Sequence, residues 1–303
     1  MSEILPGIHL LDLHFRGRPT IISTYVLAAD DGAVGLIETG PASSGPALLA
    51  GMRAAGLDPS RVEDIVVTHI HLDHSGGAGV LLRDAMPGAR VHVHPVGLQH
   101  LVDPSRLVRS ATRLYGDMME TLWGEVAPIP ANRVVGLEDG SRLTVAGHDL
   151  EVLYTPGHAS HHLALHHRAS GAIFSGDAAG VHVPGHDIVN PPTVPPEFDP
   201  VAWEMSMDRM LALNPTRLLL GHFGPVENPR AHLDELRRRM RAWTSLVEQG
   251  LREGRSPDEM AADLRSRDAA ALGAHSEALQ QLELMAGYDA GVAGIIRYLV
   301  KRT

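Results

Sequence analysis

The chain has 303 residues, 44% of them apolar and 20% charged, a balance that suits one large globular domain with or without a small appendage and excludes a disordered chain. A formal net charge of −10 argues against a polyanionic partner such as RNA, because nucleic-acid affinity comes largely from basic surface. With no cysteine present, disulfides, thiolate metal ligands and a Cys nucleophile are excluded, so a zinc-like site would have to use histidines and carboxylates.

The chain starts MSEILPGIHLLD, with no basic region ahead of a long apolar run, which predicts no signal peptide. No uninterrupted apolar stretch approaches the ~20 residues needed to span a bilayer, and a cytoplasmic location is expected. The first half then alternates between strand and helix patterns. A short apolar strand at 34–38 ends in the turn signal Thr39-Gly40-Pro41, and a helix over 44–55 stops at Gly56. A β-branched strand follows at 63–68, a helix at 77–85 and a strand at 90–94. Residues 95–133 read as a helical insertion. Strands return at 150–155, 162–167 and 172–175. The proline-rich stretch 183–200 reads as an extended loop, followed by a helix over 201–213 and a strand at 218–221. Beyond about 230 the pattern is helical, and Ser256-Pro257-Asp258-Glu259 is a capping box with proline at the first helical position. The expected organisation is a catalytic domain at 1–229 and a C-terminal helical region at 230–303.

Nineteen histidines are the compositional anomaly, and their positions decide which of them matter. The run Thr68-His69-Ile70-His71-Leu72-Asp73-His74-Ser75-Gly76-Gly77 packs four strong ligands into a strand end and the turn after it. Residues two apart on a strand share a face, so His69 and His71 can chelate one metal while the turn aims Asp73 and His74 at a neighbouring point. A single His-x-His is more often a bland pair. Four such groups without a metal would be a costly polar cluster at a buried strand end. Three further strands run into glycine-containing turns that each present one ligand: His158 after Thr155-Pro156-Gly157, Asp177 after Ser175-Gly176, and His222 after Gly221. Seven ligands are too many for one tetrahedral ion and suit two, with a carboxylate able to bridge.

The motifs THIHLDHSGG, TPGH, SGD and GH, in that order, resemble those of the metallo-β-lactamase-fold metallohydrolase superfamily over roughly residues 5–228, in its glyoxalase II-like and lactonase-like branch rather than among true β-lactamases. The resemblance implies an α/β fold, an αββα sandwich with a C-terminal helical appendage, and a site at one edge of two sheets. It places His69, His71 and His158 on a first metal and Asp73, His74 and His222 on a second, with Asp177 bridging. The family usually carries an acidic residue in a D-T-G segment after an early strand; Glu38-Thr39-Gly40 stands there, and Glu38 is a candidate to orient a ligand histidine. His162, four residues after His158, is a candidate for supporting a ligand or touching substrate, as are Tyr115 in the insertion and His182 and His186 on the loop after Asp177.

Two divalent ions, zinc first with iron or manganese admitted, can bring a bridging water to hydroxide near neutral pH for attack on a carbonyl or phosphoryl centre. Asp73 and Asp177 are the expected catalytic carboxylates, Asp177 carrying a proton afterwards. The expected function is therefore a dinuclear hydrolase of an ester, thioester, lactone or phosphoester, with a small-molecule substrate in which an anionic group is admitted. Nucleic acid and membrane are not expected partners, and self-association is left open. Asp177 argues against a true β-lactamase, which generally lacks it. The residues Ala178-Ala179-Gly180 stand where quorum-quenching lactonases often carry a tyrosine. Two alternatives stay open: an oxidoreductase like the mononuclear-iron persulfide dioxygenases of the same fold, and a non-catalytic module stabilised by metal. The run Arg237, Arg238, Arg239 and Arg241 reads first as a solvated helix face and second as a clamp for an anionic substrate group.

Overall fold

A computed structural model describes residues 1–273 and 276–301. The chain forms two compact units, one of residues 1–154 with 163–174, the other of 155–162 with 175–303.

In the first unit, β1 (Ser2–Leu5), β2 (Ile8–Asp12), β3 (Ser23–Ala28) and β4 (Val34–Ile37) form an antiparallel meander. The sheet then continues in parallel through β5 (Val62–Val66), β6 (Arg90–Val93) and β7 (Val134–Gly136), so its seven strands lie in sequence order. Parallel neighbours need long crossovers, and helices supply them. The helix α1 (Gly45–Ala54) joins β4 to β5; α2 (Leu72–Ser75) and α3 (Ala78–Asp84) join β5 to β6. The stretch 95–133 carries α4 (Pro95–Val102), α5 (Ser105–Tyr115) and α6 (Met119–Trp123) between β6 and β7. A second, antiparallel sheet is built from β8 (Arg142–Val145), β9 (His148–Tyr154), β10 (Leu163–His167) and β11 (Ala172–Gly176). Tyr25 of the first sheet meets Phe174 of the second edge to face at 5.2 Å, a favoured aromatic geometry. Ile8, Leu36, Ile65 and Val91 are fully buried, as are Leu48 and Met52 of α1.

The second unit contains a short antiparallel pair, β12 (Val181–His182) and β13 (Val189–Asn190). The stretch expected to be loop throughout thus carries a strand at Val189–Asn190, in the proline-free part between Pro184 and Pro191. The helix α7 (Pro200–Ala212) starts with Pro200, and the Asp199 carboxylate accepts the N–H groups of Val201 and Ala202, satisfying donors that a helix start leaves open. The strand β14 (Leu218–Leu220) follows, and Gly221 N–H after it donates to the Gly176 carbonyl at 3.4 Å. Among the described residues four helices follow: α8 (Pro229–Arg252), α9 (Pro257–Leu272), α10 (Glu277–Met285) and α11 (Tyr288–Val300). On α8, His232, Leu233, Leu236, Met240, Trp243 and Val247 form the buried stripe of an amphipathic helix. The capping box at Ser256 and Glu259 is made in both directions. No helix among the described residues is long and apolar enough to cross a membrane.

Candidate functional site

The first unit assembles its cluster where β5 runs out. That strand ends at Val66, two residues earlier than its β-branched pattern suggests, so His69 and His71 sit on a turn and His71 caps the one-turn helix α2. The two imidazoles still meet, with His69 Nε2 3.0 Å from His71 Nδ1 and the rings crossing at 78°. His69 and His74 are buried, while His71 and Asp73 are partly exposed.

A set of outer partners fixes the orientation of these rings. The Thr68 hydroxyl donates to Glu38 Oε1 in a short hydrogen bond, which leaves its lone pairs to accept from His69 Nδ1 at 3.0 Å. His69 therefore carries its proton on Nδ1 and turns the bare Nε2 toward His71. Glu38 Oε1 also lies 3.2 Å from His74 Nδ1, so one buried carboxylate steadies two imidazoles. Thr39 N–H donates to the His74 carbonyl at 2.9 Å and Gly77 N–H to the Gly40 carbonyl at 2.9 Å, pinning the Glu38-Thr39-Gly40 segment along the 73–77 turn. Glycine is required at position 40: its φ is +68°, and a Cβ there would lie 2.1 Å from Leu13 Cδ1.

The second unit carries His158, Asp177 and His222 on three separate turns, all buried. His158 Nδ1 donates to the Pro192 carbonyl at 2.7 Å. That acceptor can take only a proton, so Nε2 is bare, and it lies 3.4 Å from Asp177 Oδ2. His222 Nε2 lies 3.6 Å from Asp177 Oδ1. The Asp177 carboxylate thus faces one imidazole with each oxygen. His162 works differently. Its Nε2 accepts the Asp177 backbone N–H at 3.1 Å, and its Nδ1 lies 2.8 Å from Thr155 Oγ1. With both nitrogens occupied, His162 braces the turn that presents Asp177. Trp203 Nε1 donates to the Ala178 carbonyl at 2.7 Å and His232 Nε2 to the Ala179 carbonyl at 2.8 Å, holding the same turn from behind. Burial lowers the His232 pKa to about 4, against the hydrogen bond to Ala179. Gly157, before His158, has φ +141°, and a Cβ there would fall 2.3–2.6 Å from Trp203 backbone and Cβ atoms.

Tyr115 ends α5 with its ring edge-on to Trp123 at 5.1 Å. Desolvation first and the Asp73 carboxylate second push its phenol up to about 12, so it stays a neutral donor at any ordinary pH. The His182 ring lies between two backbone carbonyls, 3.2 Å from that of Phe223 and 3.2 Å from that of His186, while the His186 side chain is exposed. His182 N–H donates to the His222 carbonyl at 2.7 Å, so β12 supports the last ligand turn through its backbone. The arginine run is engaged in ion pairs: Arg237 with Asp208, Arg238 with Glu235, Arg239 with Asp268 and Arg241 with Glu204. This favours the structural reading of the run over an anion clamp. Thr68 and Thr155, each hydrogen-bonded to a histidine of the cluster, are not singled out by the motifs. Their signal is a threonine ahead of the ligand in both T-H-x-H and T-P-G-H.

The donor set fits a metal site. His69 and His158, whose Nδ1 protons go to a hydroxyl and a backbone carbonyl, each turn an unprotonated Nε2 toward the other candidate ligands of their unit, the arrangement that metal-binding histidines need. Comparison with known proteins agrees. Residues 17–222 match the family model of the metallo-beta-lactamase superfamily, and the chain belongs to that superfamily. It is 28% identical over 223 residues to the metallo-beta-lactamase fold-containing protein ST1585 of Sulfurisphaera tokodaii, covering 73% of this chain and 79% of the relative. The crystal structure of the metallo-beta-lactamase family protein TTHA1429 from Thermus thermophilus superposes with a TM-score of 0.73 at 25% identity, over 99% of this chain and 95% of that one. A hydroxyacylglutathione hydrolase of Aeromonas salmonicida is 31% identical over 137 residues, which is 45% of this chain and 39% of the relative. The fold is the metallo-β-lactamase fold with α8–α11 beyond the matched region.

Proposed function

We propose that the chain is a hydrolase whose seven side chains hold two divalent metal ions, zinc first, and that it cleaves a small ester-type substrate. One observation carries the reading: within the first unit His69 gathers His71 and His74 around it, its Nε2 3.0 Å from His71 Nδ1 and its ring 4.1 Å from that of His74, and within the second Asp177 turns one carboxylate oxygen to His158 and the other to His222. When bound, a divalent pair brings a water within reach of ionisation near pH 7 and polarises the oxygen of the bond to be cleaved.

The chain's own residues do the rest. Thr68, held by Glu38, keeps His69 in one tautomer, Pro192 does so for His158, and the Glu38 carboxylate lies beside His74. His162 and Trp203 fix the turn at Asp177, whose carboxylate is placed to hold a proton and release it to the leaving group. Partial matches to hydroxyacylglutathione hydrolases make an acyl thioester the first substrate to try, followed by lactones, carboxylic esters and phosphoesters. The proposal extends to a cytoplasmic enzyme with no nucleic-acid or membrane partner.

The test is metal quantification on natively expressed protein together with turnover on that panel. Close to two metals per chain and hydrolysis of one substrate class support the reading. One iron per chain with oxygen consumption on a persulfide replaces it with the dioxygenase alternative. Full metal content without turnover on any panel member leaves the non-catalytic module.

A further inference from the structure

Four polar side chains of the second unit, none of them in a ligand motif, meet at one buried point. Asp268 on α9 is 1% exposed, and Asn190 and Tyr288 are fully buried. Asp268 Oδ2 accepts from Asn190 Nδ2 at 2.9 Å and from the Tyr288 hydroxyl at 2.7 Å, while Oδ1 accepts from Arg239 Nη2 at 2.5 Å. Arg239 Nε donates in turn to Asn190 Oδ1 at 3.0 Å. Residues of three C-terminal helices, α8, α9 and α11, thus form one network that grips both ends of the amide on β13. Two residues beyond Asn190 is Pro192, whose carbonyl receives the His158 Nδ1 proton. On its other side Thr193 Oγ1 donates to the Gly291 carbonyl at 2.9 Å. The acceptor that sets the His158 ring is therefore clamped before and after by the helical region.

A buried ion pair is weak evidence for stability, because its desolvation offsets much of the attraction. A fully satisfied network of this kind specifies one geometry instead. We propose that Asp268, acting through Asn190 and the Pro192 carbonyl, is a positioning residue for His158, so that the C-terminal helices form part of the metal site's support. The proposal rests on the reading of His158 as a metal ligand.

The experiment compares three variants with the wild-type full chain. Asp268→Asn removes the charge at the hub. Asn190→Ala cuts the tether and leaves the Arg239–Asp268–Tyr288 contacts in place. Leu264→Ala, a fully apolar truncation on the same buried face of α9, destabilises the helices without touching the tether. Two readouts are taken: zinc affinity by chelator competition, and the downfield imidazole N–H proton signal of His158 in metal-free protein. Loss of an outer partner costs roughly 10–100-fold in metal affinity. That loss is expected in Asp268→Asn and Asn190→Ala, with the His158 signal shifted or exchange-broadened. Leu264→Ala is expected to keep both readouts at the wild-type level. Should Asp268→Asn fail to fold, Asn190→Ala decides alone. Equal weakening in Leu264→Ala, or an unchanged His158 signal in Asn190→Ala, overturns the proposal. Failure of the wild type to bind zinc at all would strike the metal reading instead, since the signal in metal-free protein still reports on the clamp.

Discussion

In the first unit the candidate ligands His69, His71, Asp73 and His74 share one turn, and their partners Glu38 and Thr68 come from the two adjacent strand ends. In the second unit His158, Asp177 and His222 each come from a different turn, and each turn needs its own brace: the Pro192 carbonyl, His162 with Trp203, and the backbone of His182. A compact motif needs few outside contacts because chain connectivity already holds its members together. A dispersed set pays the ordering entropy of each segment separately, and the molecule offsets it with glycine-permitted close packing and buried hydrogen bonds.

This contrast can be broken or sharpened by substitution. The largest effect is expected at Asp177, which faces both His158 and His222: Asp177→Ala should lower kcat/KM on the preferred substrate more than ~100-fold, beyond the range for outer partners. Metal content measured alongside should also fall. Next is the backbone that the dispersed set relies on. Gly157→Ala combines an unfavourable φ with a clash against Trp203 and should cost about 3–4 kcal/mol in a denaturant titration. A cost below ~1 kcal/mol would mean the turn is not pinned.

The brace at His232 has a pH signature. Its folded pKa of about 4 lies below the ordinary value of 6.5, so the unfolded chain takes up the proton first as pH falls. The stability this residue contributes is complete above pH 6.5 and is lost as pH falls toward 4. Wild-type protein should lose up to roughly 3 kcal/mol more than His232→Gln between pH 7 and 4; parallel denaturation curves for the two would count against the burial argument. In the compact cluster, Glu38→Gln should weaken metal binding roughly 10–100-fold, read by chelator competition. Smallest is Arg238→Ala, which removes a pair with an Arg side chain 65% exposed. Its effect should stay within ~1 kcal/mol, and a larger loss would reopen the anion-clamp reading.

The contiguous motif was readable because its chemistry is written in adjacent letters, and even the strand's early end at Val66 left His69 and His71 together. The dispersed ligands were readable only through their common context of strand, glycine turn and ligand, and through resemblance to a family. The β1–β3 meander and β7–β8 leave little trace in the sequence, since short half-buried strands give weak periodicity. The strand at Val189–Asn190 hid among prolines. Glu38 was a candidate by position, but its hold on two imidazoles at once was not readable, because one of them is reached through Thr68.

Amino-acid order alone set the ligand types, the turn glycines and the helix starts at Pro200, Pro229 and Ser256, because these depend on local stereochemistry and on side-chain donors close by in the chain. The tertiary fold decided which nitrogen of His69 and of His158 carries the proton and that His162 braces a turn. It also decided that Asp268, an ordinary helical carboxylate by sequence, lies buried beneath the segment that holds His158. Those outcomes depend on groups brought together from distant positions, and local pattern carries no record of such meetings.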